Sequence, residues 1–318
     1  MAATRSAESW DSGNPKTLTY KVWLDGKMLN FNEAVVPIMN HSMQYGSGIF
    51  EGIRGYETAK GTAIFRLGDH VKRLVNTAKI LRMPLNFTAK QISDAIVSVV
   101  KTNKLGHCYI RPFGFYNDSQ VGLNTTGKKT SMYIYATNFG AYFGESSAKG
   151  IRCKISSIRR INSAILPSRA KGSGNYLNSI IANGEAKAAG FDEAILLSSG
   201  GHVAEGSGEN IFMVVDNKLV TPDKGSDILL GITRDSIIKI AENAGLQVEE
   251  RAIHKEELYT ADELFFTGTA AEMMPILDVD GIKIADGKEG PITKMLSSKF
   301  KDIVTGKDKE FSSWLTYV

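Results

Sequence analysis

Residues 205–234 read EGSGENIFMVVDNKLVTPDKGSDILLGITR. Glu205 lies in a glycine-containing turn. NIFMVV (210–215) and KLVTP (218–222) follow it, rich in apolar and β-branched residues, and read as strands. At Gly231, Ile232 and Thr233 a helix begins. The start of a helix carries backbone N–H groups without intrahelical partners, so it is an anion site suited to phosphate. Thr233 is also a candidate side-chain cap. Glu205 admits two readings: a solvated residue in a hairpin, or a buried carboxylate facing a cationic ring nitrogen.

Upstream, IRCKISSI (151–158) reads as a strand, then a loop carries Lys171, and a helix spans 176–189 and ends at Gly190. DEAILL (192–197) is the next strand. Lys171 sits in SRAKGSGNY, before Gly172, Ser173 and Gly174, which let the backbone approach a neighbour closely. Alone it reads as a surface lysine, and GSGN has neither the dinucleotide fingerprint nor the ending of a P-loop. Downstream, ELFFTG (263–268) delivers Gly268, Thr269 and Ala270 to a strand end, where a hydroxyl and backbone amides suit a phosphate or carboxylate. A hairpin, VDGIKI, and a helix opening at Pro291 follow.

The first half begins with a hairpin, KVWLDGKMLN, around Asp25-Gly26. One helix carries Val71, Leu74, Ala78 and Leu81 and is stopped by Pro84. A second carries Ile92, Ala95, Ile96, Val99 and Val100 and opens with a Thr88–Gln91 capping box. CYIRPFGFY and SMYIYATNF are strands. Strands outnumber helices and short turns join them, so the fold class is α+β with mixed sheets, not a doubly wound parallel sheet.

At 318 residues the chain is expected to form two domains. The boundaries read as a polar, disordered leader at 1–19, a small domain at 20–139, a glycine-rich linker at 140–150 and a large domain at 151–318. A 42% hydrophobic and 23% charged composition is that of a soluble globular protein. The charge of +4 is small, and no dense basic cluster suggests nucleic acid. No segment is expected to enter a membrane. Cys108 and Cys153 form neither a disulfide framework nor a metal motif, which fits a reducing cytoplasm and no metal site.

Residues 205–234 also carry a spaced pattern: Glu205-x-Ser207, Asn210-Ile211-Phe212, Leu219-x-Thr221, and Leu229-x-Gly231-Ile232-x-Arg234. This resembles the signature of class IV, fold-type IV, pyridoxal-phosphate-dependent aminotransferases. HSMQYGSGIFEGIR, FRLGDHVKRL, YIRP, FGAY, KGSGNYLNS and GTAAE extend the likeness, specifically to branched-chain amino acid aminotransferases, from about Val22 to Val318. The resemblance implies a smaller N-terminal α/β domain, a larger domain with a mixed β-barrel-like core, and a homodimer or higher homo-oligomer.

It also implies roles. Lys171 matches the lysine that forms the Schiff base with pyridoxal 5′-phosphate and shuttles the proton. Tyr176 matches the partner of the phenolic oxygen, and Glu205 that of the ring nitrogen. Arg73, Ile232, Thr233 and Thr269 match the phosphate site, and Ala270 the amide donor to the substrate α-carboxylate. The cofactor is an electron sink that the protein orients and tunes, and an amine nucleophile must be partly neutral to attack. Phe50, Gly52, Tyr109, Tyr142 and Phe139 are the implied lining of an apolar side-chain pocket. Arg111 is placed to engage the distal carboxylate of glutamate. Tyr45 and Leu123 match residues given to the neighbouring subunit. Ser173 stands where the family often has glycine, and Phe139 where some members have tryptophan.

The expected activity is reversible, ping-pong transfer of an amino group between L-leucine, L-isoleucine or L-valine and 2-oxoglutarate. A D-amino acid aminotransferase would need a different carboxylate trap at Tyr109–Arg111. An aminodeoxychorismate lyase would release pyruvate. A non-catalytic binding protein would have no reason to keep Lys171, Glu205, Arg73 and Tyr176 together.

Overall fold

The computed structural model describes residues 19–140 and 149–318, which divide into two units. The leader and most of the linker expected from the sequence lie outside the described residues.

The first unit holds residues 19–139 and, unexpectedly, Trp314–Val318. Its strands are β1 (Lys21–Leu24), β2 (Lys27–Asn30), β3 (Ile49–Phe50), β4 (Ile53–Thr58), β5 (Gly61–Phe65), β6 (Cys108–Tyr116) and β7 (Thr130–Asn138). Its helices are α1 (His41–Tyr45), α2 (Leu67–Ile80) and α3 (Ala89–Thr102). All the strand pairings are antiparallel, centred on the long β6–β7 pair. The strand Leu315–Tyr317 completes the edge by pairing with β5, Leu315 opposite Phe65. This corrects the reading that ran the large domain to 318. Three residues carry too short a pattern to announce a strand, and their partner is remote in sequence.

Alternation on β6 sorts its side chains. Cys108, Ile110 and Tyr116 join α2 and α3 residues such as Leu74, Ile92 and Ile96 in the core. Tyr109, Arg111 and Phe113 take the opposite face, where Phe113 stacks on Tyr133 at 5.1 Å. The expected capping box holds α3: Thr88 N donates to Gln91 Oε1 at 2.9 Å and Gln91 N to Thr88 Oγ1 at 3.3 Å. The helix α2 ends ahead of Pro84, at Ile80, with Leu81 as its C-cap and then Arg82 with φ of 54°.

The second unit, Gly140–Ser313, holds β8 (Ile151–Ile155), α4 (Tyr176–Ala188), β9 (Glu193–Leu197), β10 (Val203–Gly206), β11 (Asn210–Val215) and β12 (Lys218–Thr221). After these come α5 (Ile232–Asn243), β13 (Val248–Glu250), α6 (Lys255–Thr260), β14 (Glu263–Gly268), β15 (Glu272–Val279), β16 (Ile282–Lys283) and α7 (Pro291–Val304). The pairings β8–β9, β8–β15 and β12–β13 are parallel and the others antiparallel. Because β10 pairs with both β9 and β11, six strands close into a barrel: β8, β9, β10, β11, β14 and β15. Ile151, Ile195, Ile211, Met213, Phe266 and Ile276 form its core. Ala182 and Ala186 of α4 pack on the outward-facing Ala194 and Leu196. The α+β class with a mixed barrel is as the sequence led us to expect. No helix among the described residues is long and apolar enough to cross a membrane.

Candidate active site

Lys171 and Tyr176 meet across a single 3₁₀ turn, Ser173–Asn175, which leads into α4. Asn175 fixes the approach: its Nδ2 donates to the carbonyls of Pro167 and Ala170, each at 3.2 Å. The turn brings the two functional groups together, and Lys171 Nζ donates to the Tyr176 hydroxyl at 2.6 Å.

Glu205, on β10, is 5% exposed. One cation and two donors orient it. Arg160 Nε forms an ion pair with Oε1 at 2.7 Å, and Asn210 Nδ2 and Leu229 N each donate to Oε2 at 3.0 Å. Burial pushes the Glu205 carboxyl up, opposed chiefly by the Arg160 charge. Sequence reasoning missed Arg160 and the supporting role of Asn210. Asn210 lies inside the quoted pattern, but nothing in the order of residues announces that Arg160 reaches Glu205.

Register places Glu205 opposite Asn210, and Asn210 opposite Thr267, so the three form one row on one face across β10, β11 and β14. Thr267 Oγ1 is buried with no hydrogen-bond partner among the described residues. The neighbouring turn, at Thr269 and Ala270, joins β14 to β15.

The helix α5 starts at Ile232 with Gly231 as its N-cap and no side-chain cap. This corrects the capping role offered for Thr233. Thr233 stands at the second helical position, two residues past the one from which a side chain caps. Gly231 is required: a Cβ there would lie 2.0 Å from Asn210 Oδ1.

A second carboxyl, Glu209, lies beside this row. Its Oε2 accepts from Gly208 N at 3.0 Å. Burial pushes it up to about 8, with Glu193 adding to the effect. No group of three or more His, Cys, Asp or Glu that could hold a metal occurs among the described residues.

This donor set fits pyridoxal 5′-phosphate. It offers an amine beside a phenol, a buried and oriented carboxylate, a helix start with no side-chain cap, and an orphaned buried hydroxyl in the carboxylate's row.

The first unit carries the other expected residues. Arg111 Nη2 donates to the Tyr109 hydroxyl at 2.8 Å, and the guanidinium lies 4.5 Å from the Phe50 ring centre. Phe139 packs on Tyr109 at 5.0 Å. The space left by Gly52 is taken by Tyr109 itself, since a Cβ at Gly52 would lie 2.0 Å from that hydroxyl. Arg54, opposite Tyr109 in the β4–β6 register, lies 5.1 Å from the Phe139 ring centre and was not singled out from sequence. Tyr45, at the end of α1, accepts from Gly122 N at 3.2 Å. Tyr45 is 40% and Leu123 78% exposed. Arg73 is held by Glu51 through Nε and Nη2, at 2.6 and 2.8 Å. Tyr142 lies outside the described residues.

Comparison with known proteins agrees with this geometry. The family described as amino-transferase class IV matches residues 48–279. The chain is 42% identical over 298 residues to the branched-chain-amino-acid aminotransferase of Pseudomonas aeruginosa, covering 93% of this chain and 97% of that protein. A branched-chain aminotransferase of Thermoproteus uzoniensis, solved with norvaline, superposes with a TM-score of 0.90 at 43% identity, covering 93% of this chain and 98% of that one. The branched-chain amino acid aminotransferase of Thermobaculum terrenum, solved in its PLP form, gives 0.89 at 37% identity, covering 94% and 98%.

Proposed function

The chain belongs to the class IV aminotransferases, and from that premise we propose that it is a pyridoxal-phosphate-dependent branched-chain amino acid aminotransferase. It exchanges the amino group of L-leucine, L-isoleucine or L-valine with 2-oxoglutarate in a ping-pong cycle. The observation that carries this reading is the contact of Lys171 with Tyr176 at 2.6 Å, in the same unit as a buried Glu205 held by one cation and two hydrogen-bond donors.

Bound pyridoxal phosphate supplies an aldehyde carbon and an electron-withdrawing ring. Lys171 would hold the cofactor through its Nζ and, once displaced by the substrate amine, would act as the free base that carries the proton leaving the substrate Cα. The Tyr176 hydroxyl orients Nζ and the ring's phenolic oxygen. Glu205, fixed by Arg160, Asn210 and Leu229, keeps the proton on the ring nitrogen. The first-turn amides of Ile232 and Thr233 and the Thr269 hydroxyl would hold the phosphate, and the Ala270 amide would receive the substrate α-carboxylate.

Phe50, Tyr109 and Phe139 exclude water from an apolar side chain. Arg111 offers a cation to the distal carboxylate when the substrate is glutamate, so one pocket serves both partners. The exposed Tyr45 and Leu123 are assigned to the pocket of a second copy, in a homodimer or higher homo-oligomer. A cytoplasmic location fits two buried free cysteines.

The test is spectroscopic. The purified protein, reconstituted with pyridoxal phosphate, is expected to show near-ultraviolet to visible absorbance of the bound cofactor. That band should convert to the pyridoxamine form with L-leucine, L-isoleucine and L-valine, and not with D-alanine. Absence of a bound chromophore after reconstitution, or conversion by D-alanine alone, overturns the reading.

A further inference from the structure

Two helices of the second unit, α5 and α7, rest on β14, and their starts are finished differently. At the start of α7, Ile292 N and Thr293 N donate to the Glu263 carboxylate at 2.9 and 2.7 Å. The protein's own anion, from the first residue of β14, closes that end. The start of α5 has Gly231 as its N-cap and no side-chain cap. Gly231 rests on Asn210, since a Cβ on it would lie 2.0 Å from Asn210 Oδ1. Asn210 in turn stands directly opposite Thr267 in the β11–β14 register. Directly opposed residues on paired strands share a face, so Thr267 points to the side that the start of α5 occupies. Thr267 is 1% exposed, and its Oγ1 has no hydrogen-bond partner among the described residues. A buried hydroxyl normally finds one. Thr221, buried on the same sheet, donates to Ile211 O at 2.8 Å. The other orphaned hydroxyl among the described residues, Thr293, lies at the end that Glu263 already closes.

A helix start attracts an anion through its amides and its dipole. A hydroxyl that donates to a charged oxygen adds a short, strong and directed bond. The row Glu205–Asn210–Thr267 crosses two strand intervals, roughly 10 Å in all. A row of that length suits a ligand with a ring nitrogen at one end and a phosphate at the other. We propose that Thr267 is a further cofactor-binding residue, whose hydroxyl donates to the phosphate of pyridoxal 5′-phosphate at the start of α5. This rests on the phosphate role proposed for Ile232 and Thr233 above.

The experiment measures binding of pyridoxal 5′-phosphate and of unphosphorylated pyridoxal to the cofactor-free full chain. It compares the wild type with Thr267→Val, which keeps the shape and removes the hydroxyl, and with Thr267→Ser, which keeps the hydroxyl. Thr267→Val is expected to weaken pyridoxal-phosphate binding roughly 10–100-fold, the range for a lost hydrogen bond to a charged group. Its pyridoxal binding should stay unchanged, and Thr267→Ser should bind pyridoxal phosphate as the wild type does. Unchanged pyridoxal-phosphate binding in Thr267→Val overturns the proposal. Equal loss with both probes overturns it too, because that means a structural role only. So does a serine variant as weak as the valine one, which would make shape rather than the hydroxyl decisive. A wild type that binds no pyridoxal phosphate sinks the cofactor reading itself. A wild type that binds both probes equally removes the phosphate site at α5, and this proposal with it, while leaving the cofactor reading standing. Thr267→Ala carries the same readout if the valine variant does not fold.

Discussion

Gly231 faces Asn210 so closely that a side chain on it would fall 2.0 Å from the Asn210 oxygen. Asn210 cannot yield without loss, because its Nδ2 donates to Glu205 Oε2 at 3.0 Å and to Leu229 O at 2.9 Å. Gly231→Ala is therefore expected to disturb the start of α5 and the setting of Glu205 together. The expected cost is roughly 1–3 kcal/mol of stability, the usual range for overpacking, with cofactor affinity lowered in the same variant. Thermal denaturation and cofactor titration check the two effects; a variant with wild-type affinity would show that Asn210 can move aside.

Lys171→Ala removes the amine and leaves the 3₁₀ turn and α4 with their own hydrogen bonds. Turnover is expected to fall by roughly 10²–10⁴-fold or more, the range for a lost acid–base group, while circular dichroism stays that of the wild type. Substantial activity in a folded variant would refute the role given to Lys171.

Glu209 makes stability depend on pH. Its carboxyl titrates near the ordinary value of 4.5 when unfolded and at about 8 when folded, because of burial and the Glu193 and Glu205 carboxylates, with Lys171 opposing. The native state thus binds the proton more tightly. Stability is greatest below about pH 4.5 for this group, declines as pH rises to about 8, and is flat beyond. Glu209→Gln mimics the protonated form. It should stabilise the protein at pH 8, on the order of 1–4 kcal/mol as for other replaced buried charges, and the gain should shrink toward pH 5. Denaturant unfolding at the two pH values measures it. A gain independent of pH would contradict the assignment.

Gly52→Ala should push the Tyr109 hydroxyl out of its place and break its hydrogen bond with Arg111. KM for leucine and 2-oxoglutarate is expected to rise about tenfold, equivalent to about 1.4 kcal/mol, with cofactor affinity unchanged. Steady-state kinetics beside a cofactor titration distinguish this from general misfolding, in which both would suffer.

Much of this site is readable in the order of residues because its parts sit on short local patterns. Lys171 and Tyr176 are five apart, and the Glu205–Arg234 pattern spans two successive hairpin connections and a helix start. Arg160 is different: it meets Glu205 across 45 positions, and neither residue's neighbours predict the contact. Glu51 likewise reaches α2 through the sheet, and a carboxylate in FEGIR looks the same whether solvated or buried. Sequence alone leaves Thr233 a candidate cap because capping depends on which residue starts the helix, and Gly231 takes that position. Helical periodicity and strong turn signals located α2, α3 and the Asp25-Gly26 hairpin. The five-residue α1 and the short strand at Leu315–Tyr317 carry too few residues to show a period.

That short strand bears on synthesis. Leu315 covers the edge of β5 opposite Phe65, and the ribosome makes it about 250 residues later, a delay of roughly 10–50 s at about 5–20 residues per second. Through that interval β5 presents unpaired N–H and C=O groups, a template for strand addition from another nascent chain. The first unit thus passes through synthesis with an open seam, and the finished polypeptide closes it.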